Sequence, residues 1–215
     1  MDRQPSLDQE VRLWSLGFAR IAGVDEAGRG ARAGPVVAAA VILPPIERQP
    51  ELATALAPVR DSKLLSPRQR ERCYDLVAQA ALAYGVGTVS ADAIDRNGIV
   101  ACTRLAMWQA IASLGCWPDY LLIDALSLPD LPLPQVARPK SDRYVLSVAA
   151  ASIIAKVTRD RLMVRLEAAC PGYGLGQHKG YGTAQHRQAL ARLGPSHLHR
   201  HSFWPVRALA EATNA

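Results

Sequence analysis

Carboxylates in three stretches have the types and spacing to do chemistry. The first stretch, residues 21–43, reads IAGVDEAGRGARAGPVVAAAVIL: an apolar run reaches the adjacent acids Asp25 and Glu26, then turns through Gly28-Arg29-Gly30. Paired acids of this kind collect divalent cations, and glycines let a backbone lie close against a ligand. In the second, Tyr120-Leu121-Leu122-Ile123 reads as a buried strand whose last residue is Asp124. Open α/β sheets place their chemistry at the carboxyl ends of strands, so Asp124 can meet Asp25. The third, Lys140-Ser141-Asp142, precedes a long helical run, where the positive end of the dipole favours a carboxylate. Each acid also has a plainer reading, as a solvated turn residue or a helix cap.

The first stretch contains a competing pattern. Gly28-Arg29-Gly30-Ala31-Arg32-Ala33 fits the dinucleotide fingerprint G-x-G-x-x-A. Two objections count against an oxidoreductase. The acids would face a pyrophosphate with no cation between them, and the fingerprint must open a helix, whereas Pro35-Val36-Val37 opens an apolar strand.

The elements that must hold these residues follow from pattern. Strands are predicted over 21–25, 35–43, 84–90 and 120–124, the first two pairing as a hairpin around the glycine loop. Residues 127–139 carry Pro129, Pro132, Pro134 and Pro139 and admit at most a short edge strand. Ser66-Pro67 starts a helix over 67–82, with Leu76, Val77 and Ala80 inward. Residues 91–99 read as a connection, with Asp92 and Asp95 as turn acids. A helix over 100–114 should bury Leu105, Met107, Trp108 and Ile111. A long helix is predicted over 147–169, starting with small residues that allow close packing on the sheet, and another over 184–193. Residues 1–20 form a polar lead-in with room for a short helix.

Composition narrows the class. The 215 residues are 49% hydrophobic, enough for a core, and 25 Lys and Arg against 19 acids give a net charge of +6, which favours anionic partners. No acid occurs between Glu167 and Glu211, a segment holding Lys179, Arg187, Arg192, Arg200, Arg207 and the histidines His178, His186, His197, His199 and His201; it predicts a positive surface. Four scattered cysteines without C-x-x-C point to reduced thiols. The charged N-terminus does not read as a signal peptide and no apolar run of membrane-spanning length occurs, so a soluble cytoplasmic protein is expected.

Taken together, the motifs resemble the type 2 ribonuclease H (ribonuclease HII) family. Asp25-Glu26 before Gly28-Arg29-Gly30 resembles its first signature, and Asp61-Ser62-Lys63-Leu64-Leu65-Ser66 its D-S-K-x-L-S segment. Asp124 matches its strand-end acid, with Ala125 where glycine is usual. Lys140-Ser141-Asp142 matches K-G-D, with Ser141 in the glycine's place, a departure that bears on the loop carrying Asp142. The run Ala150 to Asp160, AASIIAKVTRD, then His178-Lys179-Gly180-Tyr181 and His199-Arg200-His201-Ser202-Phe203, complete the series in order.

The resemblance implies an α/β, ribonuclease H-like mixed five-stranded sheet flanked by helices. It implies a single catalytic domain over 1–215, with a lead-in at 1–20 and a basic C-terminal helical extension at 171–215. Asp25, Glu26, Asp124 and Asp142 would be catalytic metal ligands; an oxygen-only set selects Mg²⁺ or Mn²⁺, two ions with substrate bound. Gly28, Arg29, Gly30, Lys63 and Tyr181 would contact substrate, the glycines at the 2′-hydroxyl and Tyr181 at the ribose. The implied activity is cleavage of the RNA strand of RNA/DNA hybrids and nicking 5′ of ribonucleotides embedded in duplex DNA, leaving 5′-phosphate and 3′-hydroxyl ends. The roles would be ribonucleotide excision repair and primer removal. The short lead-in favours a form without an added N-terminal substrate-binding domain. A monomer is expected, and Ala208 to Ala215 shows no obvious sliding-clamp peptide. The alternative from composition is a non-catalytic nucleic-acid-binding module.

Overall fold

The element that positions the rest is a hairpin, β1 (Ile21–Ala27) and β2 (Val36–Ile42), antiparallel around the glycine loop. In this computed structural model, which describes residues 4–46 and 49–213 (side chains as far as 209), β3 (Ala83–Val89) pairs antiparallel with β2. On the other side of β1, β4 (Tyr120–Asp124) and β5 (Gln135–Arg138) both run parallel. The five-stranded order is β3-β2-β1-β4-β5, with the proline-flanked β5 at an edge. Every residue of β2 is buried, because helices cover both faces of the sheet. The glycine loop leads into β2 and opens no helix, which removes the condition the dinucleotide reading required.

The helices are α1 (Asp8–Ser15), α2 (Leu52–Ala55), α3 (Pro67–Ala80), α4 (Ala91–Asn97), α5 (Ile99–Ala112), α6 (Leu146–Ala169), α7 (Leu175–His178), α8 (Ala184–Leu193) and α9 (Val206–Thr213). A capping box of Ser66 and Gln69, with Pro67 in the first turn, starts α3. The helices α3 and α6 pack on one face and α5 on the other. On β1, Gly23 lets α6 lie directly on the strand: a Cβ there would stand 2.2 Å from the backbone carbon of Ser147. The lead-in secures the same helix. Ser6 pairs with Val145, and the buried Glu10 accepts a 2.8 Å hydrogen bond from the Ser147 amide. Residues 1–3 of that lead-in, and 214–215 of the tail read for a clamp peptide, lie outside the described residues.

Two expectations need correction. Residues 91–97 are a helix, not a connection, because Ser90 caps it by accepting from the Ala93 amide. Leu105 and Trp108 of α5 are exposed, at 46% and 47%, while Cys102, Ala106, Met107, Ala110 and Ile111 face the sheet. The cause is close approach. A Cβ on Gly87 or Gly85 of β3 would fall 2.0 Å or 2.2 Å from the carbonyl oxygens of Ala106 and Ala110, so the small alanines occupy that contact, Met107 and Ile111 pack beside it, and Leu105 and Trp108 lie on the opposite face.

Gly23→Ala forces a methyl group into the α6 backbone. Overpacking usually costs about 1–3 kcal/mol, and a clash with backbone on both sides places this case at or above about 3 kcal/mol. A urea-unfolding midpoint close to that of the unsubstituted protein would contradict the packing described.

Candidate active site

Parallel pairing sets Val24 opposite Ile123, and one residue further along each strand stand Asp25 and Asp124. Asp25 is buried, and its Oδ1 accepts from the Glu26 amide at 2.7 Å. Asp124 is half-buried, and its Oδ1 accepts from the Ser141 amide at 2.7 Å, which ties it to the 3₁₀ turn Ser141–Arg143 carrying the buried Asp142. Ser141 also donates its hydroxyl to the Arg138 carbonyl, so the serine in the expected glycine position fastens the loop. Ala125 adopts φ 62°, a left-handed conformation that costs a non-glycine residue about 1–2 kcal/mol and that explains the usual glycine there.

The acids sense one another. Burial, then the charges of Glu26, Asp124 and Asp142, push the Asp25 carboxyl well above its ordinary range. Burial and Asp124 also raise Glu26, against Arg29 and Lys63. Burial, Asp61 and Asp124 raise Asp142, against Lys63 and Arg143. Glu26 Oε1 meets Arg29 at 3.4 Å, while Glu26 Oε2 is buried without a hydrogen-bond partner among the described residues. Among the same residues no group of three or more His, Cys, Asp or Glu side chains is drawn together closely enough to hold an ion. The acids share one electrostatic field, which would suit a hard cation that retains water and substrate oxygens as ligands.

Of the predicted substrate residues, Lys63 and Arg29 act on this field directly. Lys63 is exposed on the turn Ser62–Leu64, whose start is held by buried Asp61 accepting from the Lys63 amide, and its charge reaches Glu26 and Asp142. Gly28 has φ 93°, and a Cβ there would stand 2.0 Å from Arg159 Nε; Arg29 is half-buried; Gly30 is exposed, with open space where a Cβ would be. Tyr181 is half-buried, its ring 5.4 Å from both Lys156 Nζ and Arg159 Cζ. Tyr173, by contrast, is buried and donates to the Gly194 carbonyl.

Sequence reasoning missed the residues that hold these pieces together. Arg159 is wholly buried and donates to the carbonyls of Pro35, Lys179 and Ala33. Arg200, also wholly buried, donates to those of Gly34 and Arg29. One signal was present: Ala151, Ala155, Arg159 and Met163 fall on a single buried stripe at helical spacing. The predicted positive surface is accordingly corrected. Arg200, His178, His186 and His199 face inward, whereas Arg187, Arg192, Arg207, His197 and His201 are exposed. Arg200 turns inward because buried carbonyls of the glycine loop require donors, and the histidines because backbone groups of Tyr173, Tyr181 and Ser196 find partners in their rings.

A mixed sheet of this order, with acids gathered at the carboxyl ends of its central parallel pair, defines a nuclease of the ribonuclease H-like class. The comparisons are specific. The family model described as Ribonuclease HII matches residues 22–206, and the chain belongs to the ribonuclease HII family. It is 56% identical over 203 residues to the Ribonuclease HII of Chloroflexus aurantiacus (strain ATCC 29364 / DSM 637 / Y-400-fl), covering 94% of each chain. Its fold matches the ribonuclease H2 from Pyrococcus horikoshii OT3 with a TM-score of 0.72 at 27% identity, covering 91% of this chain and 99% of that one. It also matches Bst-RNase HIII in complex with Mn²⁺ with a TM-score of 0.69 at 25% identity, over 94% and 73%. The protein is thus a ribonuclease H, a hydrolase of endonuclease type. No helix among the described residues is long and apolar enough to cross a membrane.

The raised acids have a consequence for stability. A carboxyl whose folded value lies above its unfolded one contributes stability that is complete below the unfolded value and is lost as pH rises through the folded value. At neutral pH the cluster therefore works against folding. Asp25→Asn is expected to raise stability in EDTA at pH 7 by about 1–2 kcal/mol, a gain that shrinks toward acid pH. Equal or lower stability of the variant in urea titrations at pH 7 would show that Asp25 is not under this strain.

Proposed function

We propose that Asp25, Glu26, Asp124 and Asp142 hold divalent cations, Mg²⁺ or Mn²⁺, and that the chain cleaves the RNA strand of RNA/DNA hybrids and nicks duplex DNA 5′ of an embedded ribonucleotide. The observation that carries this reading is the mutually repelling set of buried and half-buried acids, with Glu26 Oε2 lacking a hydrogen-bond partner among the described residues. Like charges at these burials need a counter-cation, and oxygen-only donors suit a hard one. The Mn²⁺ complex of Bst-RNase HIII supports the same chemistry. Two ions bound there would supply activation of the attacking water and stabilisation of the leaving 3′ oxygen, giving 5′-phosphate and 3′-hydroxyl ends.

The remaining roles belong to the chain's own groups. Lys63 contacts a phosphate at the margin of the acid field. The backbone of Gly28-Arg29-Gly30 reads the 2′-hydroxyl, which distinguishes RNA from DNA, and the open space at Gly30 admits the sugar. Tyr181 packs against the ribose from the side of α6. Substrates are hybrids and ribonucleotide-containing duplexes, in ribonucleotide excision repair and primer removal in the cytoplasm. The catalytic domain assigned to 1–215 acts as a monomer; Ser6 and Glu10 of the lead-in brace the segment after Asp142, and His186 and Arg200 of the C-terminal extension brace Tyr181 and the glycine loop.

The test is a labelled DNA duplex with one internal ribonucleotide, incubated in Mg²⁺, Mn²⁺ or EDTA. A metal-dependent nick on the 5′ side of the ribonucleotide is expected. Asp124→Asn should abolish it while binding persists, and Tyr181→Ala should slow it by about a hundredfold, the cost of a misplaced reacting group. Binding without cutting in any metal would replace the nuclease reading with that of a binding module. Full activity of Asp124→Asn would remove the four-acid site.

A further inference from the structure

Behind Tyr181 lies a group of histidines that the chemistry above does not use. His178, His186 and His199 are all buried. The His178 and His186 rings stack with centroids 4.3 Å apart, and His199 packs against His186 at 5.2 Å and against Tyr173 at 4.8 Å. We propose that these three imidazoles are positioning residues for Tyr181: an uncharged array with one proton arrangement that fixes the backbone carrying Tyr181 relative to the Gly-Arg-Gly loop. The proposal rests on the reading of Tyr181 and that loop as the two sides of the ribose pocket.

The hydrogen bonds leave one arrangement of protons. His178 accepts from the Gly180 amide at Nδ1, 3.2 Å, so its proton sits on Nε2 and is donated to the Tyr173 carbonyl at 2.8 Å. His199 accepts from the Ser196 amide at Nδ1, 3.0 Å, so its Nε2 carries the proton and faces His186 Nε2 at 3.0 Å. His186 therefore accepts at Nε2 and donates from Nδ1 to the Tyr181 carbonyl at 3.0 Å. Each ring is neutral and uses both nitrogens. A proton added to His199 would oppose the Ser196 amide, and one added to His186 would oppose His199. Burial, with Arg32, His178 and His201 nearby, acts in the same direction, lowering both His186 and His199 to about 4.

The array is tied to both sides of the pocket. The Tyr181 carbonyl accepts from His186 and from the Thr183 amide, so the peptide after Tyr181 cannot rotate without breaking both bonds. Arg200, next to His199 in sequence, donates to the Arg29 and Gly34 carbonyls, and the Arg200 amide donates to the Arg32 carbonyl. The Arg32 amide in turn donates to the Gly180 carbonyl at 2.8 Å, closing a circuit from His199 through the loop to the residue before Tyr181. Core histidines with only a packing role do not require this linkage of ring nitrogens to the backbone of a substrate-contacting residue.

The test combines ring spectroscopy with a mutant cycle on the ribonucleotide-containing duplex. Nitrogen-15 spectra of the folded protein should show an Nδ1–H imidazole at His186 and Nε2–H imidazoles at His178 and His199, with His186 and His199 staying neutral through the range of about pH 5 to 8 in which a free histidine titrates. His186→Leu should lower kcat for nicking about tenfold or more with KM nearly unchanged, since it displaces a group that acts in the reacting complex. His186→Asn, whose amide nitrogen replaces the Nδ1 donor, should recover most of that loss. In a Tyr181→Ala background, His186→Leu should add less than about twofold, because residues in one network are not additive. An undiminished effect of His186→Leu in that background, or no recovery with asparagine, would overturn the positioning role while leaving the ribose reading in place. An unchanged nicking rate of Tyr181→Ala alone would instead remove Tyr181 from the pocket, and the proposal with it. Should His186→Leu fail to fold, His199→Gln supplies the arm: its amide replaces the Nε2 donor and should retain activity, and a loss as large as that of Tyr181→Ala would overturn the assignment.

Discussion

The contact on which the site depends is that of α6 with β1 at Gly23. With no side chain between them, the Ser147 backbone lies directly over the strand, and the start of the helix comes to the acid end of the sheet. Further along the same helix, Arg159 reaches the far side of the glycine loop. A larger residue at Gly23 would move both ends of this lever together, since close-packed interiors transmit displacement rather than absorb it. The lead-in acts on the same point, because Glu10 holds the Ser147 amide.

Two opposed electrostatic demands meet along α6. At its start, carboxylates repel one another and Glu26 Oε2 has no hydrogen-bond donor among the described residues, a state that cations would relieve. Further on, buried guanidinium groups are supplied with carbonyl acceptors, five between Arg159 and Arg200, and these carbonyls belong to the glycine loop, β2's approach and the Lys179 segment. Hydrogen bonds from a charged donor in such surroundings are strong, and leaving any carbonyl unmet would be costly. The flexible residues of the loop are thereby held from behind while Gly30 remains open to the front.

The C-terminal segment serves a structural purpose that its charge conceals. Its composition suggests an outward positive face, and part of it is one, at Arg187 and Arg192. Its inner part, with His178, His186, His199 and Arg200, supplies donors and acceptors to the backbone around Tyr181 and the loop. The alternation His197, His199, His201 splits accordingly, with the middle residue inside and its neighbours exposed.

Where the candidate acids stand in the fold was legible in the sequence, for local reasons. Asp25 and Glu26 before the glycines, Asp124 at the end of an apolar strand and Asp142 ahead of a long helix are read from period and punctuation, which short-range sterics impose wherever the chain folds. The hairpin, the proline-bounded edge strand and the Ser66-Pro67 cap follow in the same way. Tertiary structure alone decided which charges turn inward. Arg159 and Arg200 look like surface residues until the buried carbonyls of a loop more than a hundred residues away require donors. Leu105 and Trp108 look like core residues until Gly85 and Gly87 bring the α5 backbone onto the sheet along the Ala106 and Ala110 face and leave the two larger residues on the outer one. Burial of a polar group is settled by the partner it finds, and that partner here lies far along the chain, beyond what local spacing encodes.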